Sequence, residues 1–203
     1  MQGLGGTCLN YPLTLSFKLL SIGPQVRVTD ATGSLVAYVK QKAFKLKEDI
    51  TIFADEGQSL PLYRVQADRI LDFNAVYSIT DLRSGRQLGA VQREGGRSIW
   101  RATYRILDAN GVQVGEIHEQ NPWVKLLDGL LEEVPVIGMF TGYFLNPSYV
   151  LEVSGRPALR IRKRPALFEG RFLVEAVDGL PREYDELLLP SLVTTVLLER
   201  SRG

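Results

Sequence analysis

Apolar and polar residues alternate in short runs along most of the chain, and one kind of turn recurs between the runs. In VTDATGSLVAYV the residues Val28, Asp30, Gly33, Val36 and Val39 stand at steps of two, three, three and three. ILDANGVQVGEI repeats those steps at Ile106, Asp108, Gly111, Val114 and Ile117. ITDLRSGRQLGAV carries Ile79, Asp81, Gly85, Leu88 and Val91 with one residue added in the turn, and a weaker fourth copy keeps Gly155, Ala158 and Ile161. Each copy predicts a hairpin: a β-rich strand, an Asp that folds its carboxylate onto the turn backbone, a Gly that accepts positive φ, and a return strand. Chance Asp-x-x-Gly turns account for one copy, but not for three with matched apolar flanks. The irregular distances between copies point to hairpin-built sheet rather than a solenoid of fixed period.

Further strand-like runs fill the gaps, among them LTLSFKL, KQKAFKLKEDITIFAD, LYRVQADRILDFNAVYSI, RSIWRATYRI and FEGRFLVEAV. Many short strands separated by turns predict an all-β sandwich or barrel.

Two stretches break the period of two. NPWVKLLDGLLEEVP, residues 121–135, sets Trp123, Leu126, Leu127, Leu130, Leu131 and Val134 at helical spacing between an Asn121 cap with Pro122 after it and a terminating Pro135. It predicts an amphipathic helix on the outside or one end of the sheet structure, followed by a Gly-punctuated strand in VIGMFTGYFLNPSY. The other exception closes the chain. From Leu187 to Leu198 a helix would be apolar nearly all round, with acidic residues ahead of it and Arg200 and Arg202 behind, as the helix dipole favours. At 1.5 Å per residue its twelve residues reach roughly 18 Å, too short for a hydrocarbon slab of roughly 30 Å. A helix of that kind expects protein on every side, and a closed barrel offers an interior to hold it. Pro190 should then sit in the first turn or kink the helix.

A 203-residue chain that is 45% hydrophobic builds a substantial core. A formal net charge of +1 gives no whole-molecule field toward nucleic acid or acidic membranes, so such affinity needs a local patch. The lone Cys8 excludes an internal disulfide framework and suits the cytoplasm; the amino terminus has no secretion-signal pattern. His118 is the only histidine and nothing beside it suggests a catalytic triad, while one His and one Cys cannot make a zinc site. No phosphate-cradling loop follows a strand, and Glu132 and Glu133 fall on the presumed solvent face of the amphipathic helix. Neither enzymatic chemistry, nor a cofactor, nor a metal is expected.

The sharpest local feature is RPALRIRKRP. Arg160, Arg162 and Arg164 alternate, so they project from one face of a strand with Lys163 on the other. A row of guanidinium groups grips phosphate bidentately. Lys40 and Lys42 show the same alternation, and Arg101 and Arg105 show it at double the step. The commoner reading of such rows is a solvated strand face whose charges prevent edge pairing.

The Asp-x-x-Gly hairpins, the segment VAYVKQKAFKLKEDITIFAD, the later YSITD…GRQLGAV and the terminal apolar segment resemble the LURP-one-related proteins, which share a barrel superfamily with phospholipid scramblases and the tubby carboxyl-terminal domain. The resemblance covers about residues 12–200. It implies a closed antiparallel barrel of twelve strands around a hydrophobic carboxyl-terminal helix. One such domain would occupy 12–203, with 121–135 as external helix, 185–200 as central helix and 1–11 as an amino-terminal extension. Tubby domains bind phosphoinositide head groups and scramblases are associated with calcium and lipid movement, but no tubby site maps onto this chain residue by residue. Asp178, Glu183, Asp185 and Glu186 lie roughly where scramblases carry an acidic calcium-linked segment; their spacing does not fit an EF-hand, and helix-start carboxylates account for them.

The expected function is therefore a non-enzymatic binding module, cytoplasmic or peripheral to a membrane, with no transmembrane span. It would take an anionic phospholipid, phosphoinositide or similar phosphate-bearing ligand at Arg160, Arg162, Arg164, Lys163, Lys40 and Lys42. The alternative is a protein-interaction scaffold that engages a partner through Trp123 and Leu127. Scramblase-like lipid transfer stands third, because the tail is too short to span.

Overall fold

A computed structural model describes residues 9–18, 25–40, 49–68, 75–94, 103–119, 148–164, 169–177 and 182–200. The external helix expected at 121–135, with Trp123 and Leu127, lies outside the described residues, as do Lys42, Arg101, Asp178 and the strand expected in VIGMFTGYFLNPSY.

The strands are β1 (Leu13–Lys18), β2 (Gln25–Thr29), β3 (Leu35–Lys40), β4 (Asp49–Phe53), β5 (Pro61–Ala67) and β6 (Val76–Asp81). They continue as β7 (Gln87–Glu94), β8 (Thr103–Asp108), β9 (Gln113–Glu119), β10 (Ser148–Val153), β11 (Arg156–Arg164) and β12 (Glu169–Ala176). Every strand pairs antiparallel with its chain neighbour, and β12 pairs with β1 to close a twelve-stranded barrel. A 3₁₀ turn at Arg182–Tyr184 then leads into α1, Asp185–Arg200.

Alternation sorts the side chains. Val28, Val39, Ile79, Val91, Ile106 and Ile117, apolar positions of the repeats, are all buried, while Val36, Leu88 and Val114 are partly buried against the core. The Asp of each clear repeat fastens its own turn. Asp30 Oδ1 accepts from the backbone N–H of Thr32 at 2.8 Å and of Ser34 at 3.0 Å, and Asp108 Oδ1 accepts from Asn110 at 2.9 Å and Val112 at 2.8 Å. The glycines that follow hold positive φ, +82° at Gly33 and +78° at Gly111. A further hairpin between β4 and β5 uses Asp55 in the same way, accepting from Ser59 and Leu60. The positive φ there falls on Gln58.

Twelve strands enclose more room than their own side chains fill, and α1 occupies it. All twelve residues from Leu187 to Leu198 are buried, including Ser191, Thr194 and Thr195. Each buried Leu contributes about 1.5–3 kcal/mol of hydrophobic stabilisation. Of the two placements expected for Pro190, the first turn is not the one found: it stands at the sixth helical residue, in the second turn. Its ring removes an N–H from the helix ladder. The hydroxyls nearby bond back to the same stretch, Ser191 Oγ donating to the Leu187 carbonyl and Thr194 Oγ1 to the Pro190 carbonyl, each at 2.7 Å. Among the described residues no helix is long and apolar enough to cross a membrane.

The hairpin turns and the start of α1 share one end of the barrel. There Arg86 Nη2 reaches Glu186 Oε2 at 2.9 Å, linking the β6–β7 turn to the first turn of the helix. Leu9, ahead of β1, is buried at the same end against Asp185. The start of the described chain and the start of α1 therefore meet at the turn end, and the carboxyl-terminal part of α1 runs toward the opposite mouth.

Candidate functional site

The outward face of β11 is set by its inward one. Leu159 and Ile161 are buried in the core, so Arg160, Arg162 and Arg164, one residue out of phase, stand exposed on the outer wall. Lys163 shares the parity of Ile161 and is exposed where β11 ends, at the barrel mouth. The sequence alternation places these four residues as the structure does.

What each arginine meets depends on the register with β12. Arg160 lies opposite Glu175, Arg162 opposite Leu173 and Arg164 opposite Arg171. Glu175 Oε2 stands 3.6 Å from Arg162 Nε, so one carboxylate serves the part of the row occupied by Arg160 and Arg162. Arg164 has no ion-pair partner among the described residues and faces another arginine. Arg164 and Arg171 thus share one registered position of the outer wall near the mouth, with Arg162 one step along the same row. Ser16 of β1 lies opposite Arg171 on its other side and adds a hydroxyl to the same outer row.

Lys40 is exposed at the end of β3. Its register runs through Gln25 of β2 and Lys18 of β1 to Glu169 of β12, so it stands at the same end of the barrel as Arg164. Four strand spacings separate β3 from β11, roughly 19 Å along the wall. Lys40 does not join the arginine cluster. Arg105, on the outer face of β8, is held in an ion pair by Glu94 of β7.

Arg171 is the residue that sequence reasoning missed. It sits in FEGRFLVEAV as a single arginine with no alternating partner in its own strand, and only the β11–β12 register makes it part of the site.

The other titratable groups have structural settings. His118 lies on the outer face of β9 with Nδ1 3.8 Å from Glu116 and Nε2 3.9 Å from Glu152. Of the acidic residues around the start of α1, Glu183 is exposed, Glu186 takes Arg86, and Asp185 is buried against the amino-terminal segment. Among the described residues no group of three or more His, Cys, Asp or Glu side chains is placed to hold a metal ion. Asp81 is desolvated by burial, yet hydrogen bonds from Arg83 and Ser84 outweigh this and hold its carboxyl below the usual range.

No family model matches the chain, and no curated protein matches it. Among solved structures the chain is similar to a protein from Arabidopsis thaliana determined by X-ray crystallography, at 14% sequence identity and a TM-score of 0.50, with 97% of this chain and 99% of that one covered. That likeness concerns the fold.

Proposed function

We propose that the chain is a non-enzymatic binding module whose outer wall at β11–β12 takes a phosphate-bearing ligand, with the head group of an anionic phospholipid as the best fit. The observation that carries this reading is the placement of Arg164 directly across from Arg171. Two arginines at one registered position of the wall can offer an anion two guanidinium groups at once. Each presents a planar fork of donors that matches phosphate oxygens, which a lysine pair would not. Arg162 extends the row, shared with Glu175.

The resemblance to LURP-one-related proteins and their tubby and scramblase relatives, read from the repeats and the tail, agrees with this reading. The site would act at a membrane surface rather than within the bilayer, since among the described residues the barrel packs its apolar side chains inward, the reverse of a strand barrel that faces lipid.

Sedimentation with phosphatidylcholine vesicles carrying a phosphoinositide tests the proposal. Binding is expected at low salt, weakening as salt screens the arginines. It should be lost in a triple variant with Arg160, Arg162 and Arg164 replaced by Ala. Competition by inorganic phosphate at millimolar concentration would identify a free-phosphate site in place of a lipid one. Absence of binding to any anionic vesicle at low salt would overturn the reading.

A further inference from the structure

The line of residues that crosses the outer wall at Arg164 and Arg171 continues past β12. Arg171 lies opposite Ser16 of β1, and Ser16 lies opposite Arg27 of β2. Four successive strands, β11, β12, β1 and β2, therefore bring Arg164, Arg171, Ser16 and Arg27 to one registered line. Val26 and Val28 are buried on either side of Arg27, so its side chain leaves the wall on the same outward face as the other two arginines. The residue between them is a serine, whose short side chain leaves the wall clear.

Arg27 is a second gripping point rather than a third finger on one phosphate. At about 4.8 Å per strand it stands two spacings, about 10 Å, from Arg171. Its Nη1 is 2.6 Å from Glu56 Oε1. Glu56 belongs to the β4–β5 turn and reaches Arg27 from beyond β3, on the side of β2 away from β1. Both partners are half exposed, and an ion pair in that setting is weakly held. A phosphate, with more acceptor oxygens than a carboxylate, can take the guanidinium from it.

We infer that the wall takes a ligand with two phosphate groups, one held by Arg164 and Arg171 and the other by Arg27 in exchange for Glu56. The inference rests on the phosphate reading of the β11–β12 wall and adds the class of ligand: a head group with two phosphates joined by a short linker, in place of one with a single phosphate. A soluble bisphosphate carries the same chemistry, and the two sources differ in whether a membrane comes with it.

Sedimentation of the full chain with phosphatidylcholine vesicles that carry either diphosphatidylglycerol or phosphatidylglycerol, matched in total charge, tests the inference. At equal charge only the linkage between phosphates differs, so the two-phosphate lipid should bind at least about fivefold more tightly. Arg27→Ala should bring the two lipids level while binding to phosphatidylglycerol persists. Arg156→Ala removes the same charge from an exposed residue outside the line and should leave the difference intact. Glu56→Gln releases Arg27 and should widen it. Release from the vesicles by fructose 1,6-bisphosphate, under conditions where fructose 6-phosphate has no effect, would assign the two-phosphate site to a soluble ligand; retention would assign it to the lipid. Equal affinity of the unaltered protein for the two lipids would overturn the two-phosphate ligand and leave the single-phosphate reading standing. An undiminished difference in Arg27→Ala would overturn the part given to Arg27. Failure to bind either lipid would remove the wall site altogether.

Discussion

The backbone N–H of Leu9 donates to Asp185 Oδ2 at 3.2 Å, joining two residues 176 positions apart. Arg182 completes the junction: its Nη1 donates to the Leu9 carbonyl at 2.5 Å and lies 3.4 Å from the same Asp185 oxygen. Its guanidinium also sits over the Tyr11 ring, 5.8 Å from the centroid. The segment before β1 is thereby fastened to the first residue of the central helix, inside a closed sheet that would otherwise leave it loose.

Asp185 is 1% exposed, so its removal leaves a buried N–H without an acceptor and a guanidinium without its carboxylate. Asp185→Ala should lower stability by about 2–3 kcal/mol, read as a shift of the urea midpoint at constant slope. Proteolysis between Leu9 and Leu13 should accelerate in the same variant. An unchanged midpoint would mean that the junction contributes nothing net.

The same junction has an alkaline signature. Burial, and then the negative charge of Asp185, push the Tyr11 hydroxyl above the ordinary tyrosine range. The folded chain thus holds this proton more tightly than the unfolded chain. Below about pH 10 both states are protonated and the contribution is complete; above it the unfolded chain ionises first and stability falls with rising pH. Tyr38, raised by burial and by Glu56, adds to that slope. Tyr11→Phe should therefore make the decline between pH 10 and 12 shallower without abolishing it, as followed by thermal melts.

Among the described glycines of the barrel wall, Gly89 leaves the least room for a side chain. Its φ is +157°, and a Cβ there would stand 2.0 Å from the Leu107 carbonyl oxygen on β8 and 3.1 Å from Leu187 Cδ1. Gly89→Ala should cost at least about 3 kcal/mol, at the upper end of overpacking effects. Because the nearest obstacle is backbone, trimming Leu187 to Ala in the same chain should not restore the melting temperature. Restoration would assign the crowding to the helix rather than to the neighbouring strand.

These elements differ in how far the chain's own order reveals them. Alternation and the repeated Asp turns disclose the hairpins because strand period and turn chemistry are local properties. The length of the Leu187–Leu198 run discloses the buried helix because a bilayer and a barrel require different spans. The β4–β5 turn escaped notice since its positive φ rests on Gln58 and not on Gly57 beside it, so the Asp-x-x-Gly spacing is absent. For Pro190 local rules leave two placements, the first turn or a kink within the helix, and only the helix start at Asp185 removes the first of them. Arg160, Arg162 and Arg164 were visible as a row, but what they face was not. Arg171 enters through cross-strand register, and Lys40 is set apart by strand order around the barrel; both are properties of pairing between distant segments.

The pairing of Arg164 with Arg171 predicts opposite changes in stability and in ligand binding. Replacing Arg164 by Glu sets a carboxylate across from Arg171, and a cross-strand ion pair there should stabilise the barrel by about 0.2–1 kcal/mol. The gain should shrink at high salt, because both groups lie on the outer wall and are screened. The same change places a carboxylate where the phosphate would sit, so sedimentation with anionic vesicles should fall below that of Arg164→Ala. If Arg164→Glu instead lowered the urea midpoint, the arginine would be supporting the wall, and vesicle binding equal to that of Arg164→Ala would place the anion elsewhere.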